Sequence, residues 1–330
     1  IRTLGDEHPS VAQSLNNIAL MHYQEADFVT ALATYRRALA IRERSLGPDH
    51  PEVGYSLNGI AHSLWVTGDF AAAREHFERA LAIFESSLGT EDQETVICRM
   101  MLARVCLQTG DAEHALEILD ELATTAVSAF GPDHHWTADI LDVRGDALAA
   151  LGRTDEARQA FDRALEIAER ALGPDHADLA SLQASSAALS WTLGERERAI
   201  ATQRRAAEVM AAAVGPDHPQ TANELRWLAS YLLREGELDE ARELLEVALA
   251  DLEAAFGPDH PDVGKCLVWL SRLDRASGHH GTAFAAASRA ERIGRAHFEL
   301  LLTALAEGEA LRYADLRAVS YTHLRAHETS

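Results

Sequence analysis

Gly5, Gly47, Gly89, Gly131, Gly173, Gly215 and Gly257 recur along this chain at a constant step of 42 residues. Each sits in a short motif, clearest as LGPDHP (Leu46 to Pro51), VGPDHP (Val214 to Pro219) and FGPDHP (Phe256 to Pro261). A period this long, held without slippage, specifies a stack of like units, each burying its apolar face against its neighbours. Length therefore sets no domain count, since a stack grows without enlarging one core. Such arrays present long surfaces and rarely do chemistry.

The second unit, Gly47 to Leu88, shows how one copy is built. Gly47 suits a left-handed position that ends the preceding helix, and Pro48 cannot continue that helix. Pro51 fits the first turn of the next helix, capped by His50 or Asp49, with Glu52 complementing its positive end. Val53, Leu57, Ile60, Ala61, Leu64 and Trp65 make one apolar face at spacings of three and four. Gly68 and Asp69 supply a C-cap and then an N-cap. Phe70, Ala73, Phe77, Ala80, Phe84 and Leu88 form the face of a second helix. The turn glycine returns at Gly110, Gly152, Gly194, Gly236 and Gly278. Ala31, Ala73, Ala115, Ala157, Ala199, Ala241 and Ala283 never become larger, which marks a close helix approach. The expected fold is all-α: a solenoid of about seven helix-turn-helix units forming a right-handed superhelix.

The hairpin, with Phe77, Ala80 and small residues after Gly68, resembles the tetratricopeptide repeat. The 42-residue step and the LGPDHP loop resemble its longer, kinesin-light-chain type. The resemblance covers residues 1–298 and is weakest in units three and five, where LGTEDQ (Leu88 to Gln93) replaces the loop and Gln203 replaces the aromatic. Residues 299–317 read as a capping or linker helix. They also resemble the segment that follows such repeats in bacterial proteins with a CHAT (caspase-like) protease domain, with Glu307 to Tyr313 as the best part. Residues 318–330 fit neither pattern and read as a non-native or disordered tail. The chain starts near the end of a repeat, which implies a preceding unit.

Net charge is −22. That field repels phosphate backbones, so nucleic acid is not the expected partner. No run of 18 apolar residues marks a membrane span, and the N-terminus lacks the apolar core of a signal peptide. Cys98, Cys106 and Cys266 show no metal spacing, and Cys98 and Cys106 are too far apart on one helix to pair. They read as reduced thiols in a cytoplasmic protein. No nucleophile elbow, P-loop, dinucleotide fingerprint or HExxH motif appears, so neither an enzyme nor a cofactor is expected. His8, His50, His134, His176, His218 and His260 all lie in the repeat loop. Consecutive copies are two helix layers apart and cannot share an ion, so they read as helix caps. His134–His135 and His279–His280 read as solvated loop residues.

Function is expected where the copies differ. In the family, ligands lie against the first helices, facing the groove. Projecting the register places Asn16, Asn17 and Asn58 there, resembling residues that hold a peptide backbone, because an amide both donates and accepts. Asp139, Asp142 and Asp146 form an acidic stripe, either for a basic peptide or simply solvated. Arg226, Trp227 and Arg234 project from one helix and Lys265, Trp269 and Arg272 from the next. They read either as a pocket for an acidic or aromatic peptide or as packing between repeats. Tryptophan and arginine are the side chains most enriched in binding hot spots. The resemblance thus implies a scaffold that binds a protein or peptide in its groove, existing as a monomer or with weak end-to-end self-association. The alternatives are the sensor or regulatory arm of a larger enzyme, a CHAT-type protease or a signalling ATPase, and a motor-cargo adaptor, which would need an upstream coiled coil.

Overall fold

The computed structural model describes residues 7–25 and 27–304, with side chains to residue 299. Ala26, residues 1–6 and residues 305–330, which hold most of the expected capping helix and the whole tail, lie outside the described residues. Fourteen α-helices and no strand occur among the described residues. They pair into seven hairpins: α1 (Pro9–Gln24) with α2 (Phe28–Leu46), α3 (Pro51–Thr67) with α4 (Phe70–Ser87), and α5 (Gln93–Gln108) with α6 (Ala112–Phe130). Next come α7 (His135–Ala150) with α8 (Thr154–Leu172), and α9 (Ala177–Thr192) with α10 (Arg196–Val214). The last two pairs are α11 (Pro219–Glu235) with α12 (Leu238–Phe256), and α13 (Pro261–Ala276) with α14 (His280–Ala304). The architecture is the all-α helical-repeat solenoid expected from the sequence. α14 runs through Phe298 without a break.

The described residues fall into two compact units, one drawn from Ile1–Thr125 and Phe298–Ser330, the other from Ala126–His297. In the first, Tyr35, Leu57, Ile60, Leu64, Phe77 and Phe84 centre one apolar core. In the second, Leu228, Leu232, Leu245, Leu252, Val263 and Leu273 centre another. The invariant alanines are buried in every hairpin, as close approach requires. Leu88 instead ends up exposed at the C-cap of α4.

Loop chemistry repeats with the helices. The six motif histidines are N-caps whose Nδ1 accepts the backbone N–H two residues on, at 3.1 Å for His8 and 3.3 Å for His134 and His176. His50, His218 and His260 do the same at 3.2 Å. So His50, not Asp49, caps α3. In unit three Asp92 takes the place of the histidine, accepting from Glu94 N–H at 2.9 Å. Gly68 is left-handed at φ 88°, ψ 9°. Gly47 is not: its φ of 94° and ψ of 158° lie in an extended region reserved for glycine, which turns the chain straight into the next cap.

Close packing has one sharp consequence. A Cβ on Gly145 would lie 2.6 Å from Phe161 Cε1, whereas one on Gly294 of α14 would meet nothing within 4 Å. Replacing a helical glycine by alanine ordinarily gains about 1 kcal/mol. At Gly145 overpacking of roughly 1–3 kcal/mol outweighs that gain. Gly145→Ala should therefore lower the thermal unfolding midpoint while Gly294→Ala raises it; calorimetry on both variants checks the pair of signs.

Candidate functional site

In the first unit, the asparagine end is organised around a buried cation. Arg42 on α2 is only 2% exposed. Its guanidinium donates to Gln13 Oε1 at 2.7 Å, Asn16 Oδ1 at 3.1 Å and Ser56 Oγ at 2.7 Å, and pairs with Glu52. Burial lowers the Arg42 pKa and Glu52 opposes that shift. Asn16 is thus occupied by Arg42 and Ser56. Asn17 is exposed and accepts from Gln13 at 3.1 Å. Asn58 is partly buried, and its Oδ1 has no hydrogen-bond partner.

In the second unit, Asp142 is buried and Asp139 and Asp146 are partly so, and each is engaged by another group. They do not form a freely solvated acidic face. His134 and His135 are not simply solvated either: their rings lie 4.3 Å apart in a column with Phe130 and Trp136.

The basic aromatic residues divide in two. Arg226 is only 8% exposed. Its Nη2 donates to Asn223 Oδ1 at 3.2 Å, and its Nε is buried without a partner. Burial lowers its pKa, opposed by Asp262, Cys266 and Glu224. Beside it, Gln203 donates to Glu224 Oε2 at 2.7 Å. Burial raises the Glu224 pKa, opposed by Gln203 and Arg226. Trp227 is 44% exposed and has the Arg226 guanidinium 5.1 Å from its ring centroid. Lys265 donates to Asp262 at 2.7 Å on its own helix.

Arg234, Trp269 and Arg272 belong to a different arrangement, joined by three residues the register projection passed over: Trp191, Arg196 and Tyr231. Trp191 stacks on Tyr231 with centroids 4.5 Å apart and planes at 9°. The Arg196 guanidinium lies 4.1 Å from the Trp191 centroid, and that of Arg234 lies 5.6 Å from both Trp191 and Trp269. Arg272 sits 4.7 Å from Trp269. The result is an alternating ladder across α9, α11 and α13, with Arg196 contributed by the start of α10. Each cation–ring contact contributes about 0.5–1 kcal/mol at an exposed site. Arg196 has Glu235 at 3.6 Å. Among the described residues, neither Arg234 nor Arg272 has a carboxylate within ion-pair distance. The ladder holds its cations on flat apolar faces and leaves donors for an incoming anion.

No group of histidine, cysteine, aspartate and glutamate among the described residues is arranged to hold a metal ion. All three cysteines are free and buried, and burial pushes the Cys98 and Cys266 thiols up to about 12. No described helix is long and apolar enough to cross a membrane.

No curated protein sequence matches this chain. Among solved structures it is similar to BtubC of P. vanneervenii, at 21% identity over 69% of this chain and 89% of that one, with a TM-score of 0.54. It is also similar to the nearly identical repeats of a putative kinesin light chain from P. anserina, at 22% identity over 62% of this chain and 97% of that one, with a TM-score of 0.51. A third likeness is to the Rap conjugation gene regulator of plasmid pLS20, solved in complex with the Phr* peptide. It is 19% identical over 87% of this chain and 74% of that one, with a TM-score of 0.62. The profile of the tetratricopeptide repeat matches residues 10–86, 53–126, 97–170, 143–211, 178–250 and 223–296. With hairpins, step and profile in agreement along its length, the chain belongs to the tetratricopeptide repeat family.

Proposed function

We propose that this chain is a protein-interaction scaffold whose second unit holds an extended acidic peptide carrying an aromatic side chain. The observation that carries this reading is the ladder. In a chain of net charge −22, Arg234 and Arg272 lie against tryptophans with no carboxylate beside them. A peptide carboxylate would accept from the guanidinium forks, and an aromatic side chain would extend the stack. The peptide held by the pLS20 Rap regulator, which has the same fold, supports a peptide as the class of ligand. Trp227 adds an exposed apolar face.

The test uses a fluorescein-labelled peptide rich in aspartate and glutamate around one tryptophan, with a lysine-rich analogue as control. Anisotropy titration should show binding of the acidic peptide alone. The double variant Arg234→Glu/Arg272→Glu should weaken it at least tenfold, since about 1.4 kcal/mol of lost contact is a factor of ten. Equal affinity in the variant would sink this site. The regulatory-arm reading would use the same surface as its input and coupled chemistry as its output.

A further inference from the structure

We infer, resting on the reading of the ladder as a peptide site, that the aromatic residue it takes is a phosphorylated tyrosine, so that phosphorylation of the partner governs its capture.

Two cations surround one ring. The Arg272 guanidinium lies 4.7 Å from the Trp269 centroid and that of Arg234 lies 5.6 Å from it, so the two forks are no further apart than those distances together. Like charges held this close repel each other. Neither arginine has a carboxylate of the described residues within ion-pair distance. Elsewhere in the second unit Arg158, Arg204 and Arg242 each hold one, at 2.6, 2.7 and 2.6 Å. Arg196, at the other end of the ladder, is already engaged by Glu235 at 3.6 Å and by the Trp191 carbonyl at 2.6 Å.

The solenoid does not require these side chains. At the register position of Arg234 the other hairpins carry Gln24, Val66, Gln108, Ala150, Thr192 and Ala276. At that of Trp269 they carry Asn17, Gly59, Met101, Val143, Ser185 and Trp227. Hairpins close without an arginine or an indole at either position, so the arrangement is peculiar to this stretch and points outward to a ligand.

The number of forks selects the anion. A carboxylate carries one charge and is filled by one bidentate guanidinium, which leaves the second arginine as it was. A phosphate monoester carries about 1.5–2 negative charges at pH 7 and three acceptor oxygens, enough for both forks. Arginine suits the task because its planar fork matches phosphate while its face stacks on a ring. Phosphotyrosine fixes its phosphate in the plane of an aromatic ring, so ring and dianion arrive together where indoles and guanidiniums alternate. Phosphoserine brings the dianion without the ring, and tryptophan brings the ring without the dianion.

Anisotropy titration of the whole chain tests this with one fluorescein-labelled acidic sequence in four forms, its central residue being tryptophan, tyrosine, phosphotyrosine or phosphoserine. The phosphotyrosine form should bind at least about tenfold more tightly than the tyrosine and phosphoserine forms. Arg234→Gln and Arg272→Gln, both at exposed side chains, should each cut the preference over tyrosine to below about threefold, with circular dichroism confirming that the variants fold. Inorganic phosphate in roughly hundredfold excess should not displace the peptide, because it lacks the ring. A preference below tenfold overturns the inference, as does one that survives either substitution or a peptide that inorganic phosphate displaces. If the tryptophan form still binds in those cases, only the phosphotyrosine assignment has failed. If none of the four forms binds, the ladder has failed as a peptide site and this inference with it.

Discussion

Replacing Arg42 with alanine is expected to destabilise the first hairpins by about 3 kcal/mol, through the cavity it opens and the hydrogen bonds it removes. The guanidinium is buried and is the hub for Gln13, Asn16, Ser56 and Glu52. Removing it opens a cavity and leaves Ser56, itself fully buried, without its strongest donor. The register supplies the control. At the same position the later hairpins carry Phe84, Ala126, Ala168, Met210 and Leu252, all buried and apolar. Arg42→Met should thus cost less than half as much as Arg42→Ala, since it refills the volume with a side chain the fold already accepts there. Hydrogen exchange of the α1–α3 amides reads this locally. Equal losses for the two variants would mean that the polar network, and not packing, dominates.

Arg42 also shows what was legible in the sequence and why. The hairpins were, because spacings of three and four recur in phase seven times, and chance departures at one copy are overruled by the other six. The cap histidines were, because position in the motif leaves a loop histidine few other uses. Arg42 itself was not: arginine reads as surface by type, and only comparison with Phe84 and Leu252 marks its position as interior. The same comparison explains Gln203 and Glu224, a part-buried polar pair where Phe77 with Cys98 and Leu245 with Cys266 are apolar or nearly so. Groove projection assumes that one register position faces one way in every unit, yet at one such position Arg226 is buried while Val268 is exposed. Trp191 and Tyr231 occupy other positions of the repeat and meet only through the reach of their rings. Contacts set by side-chain length across two hairpins leave no periodic trace.

Acid should unfold the first unit well before the carboxylates as a class are protonated, and His62 is the main cause. This side chain on α3 lies edge-on to Phe77, with centroids 5.2 Å apart, and to Tyr23 at 6.4 Å. Burial pushes its pKa from 6.5 down to about 4. The unfolded chain therefore binds a proton near pH 6.5 that the folded chain refuses until about pH 4. His62 thus contributes stability that is fully present above pH 6.5 and declines as pH falls through this window, by about 3 kcal/mol in all. In the second unit His134 and His260 also have pKa values lowered by burial, so acid costs stability there with the same sign. Glu94 and Glu224 work the other way: burial raises their pKa values, so the folded state takes up their protons first on acidification. His62→Leu, which places there the residue found at Leu20, should flatten the decline in hydrogen-exchange protection of α1–α4 between pH 7 and pH 4.5. A His62→Leu chain whose first unit loses protection with acid as steeply as the wild type would overturn this assignment.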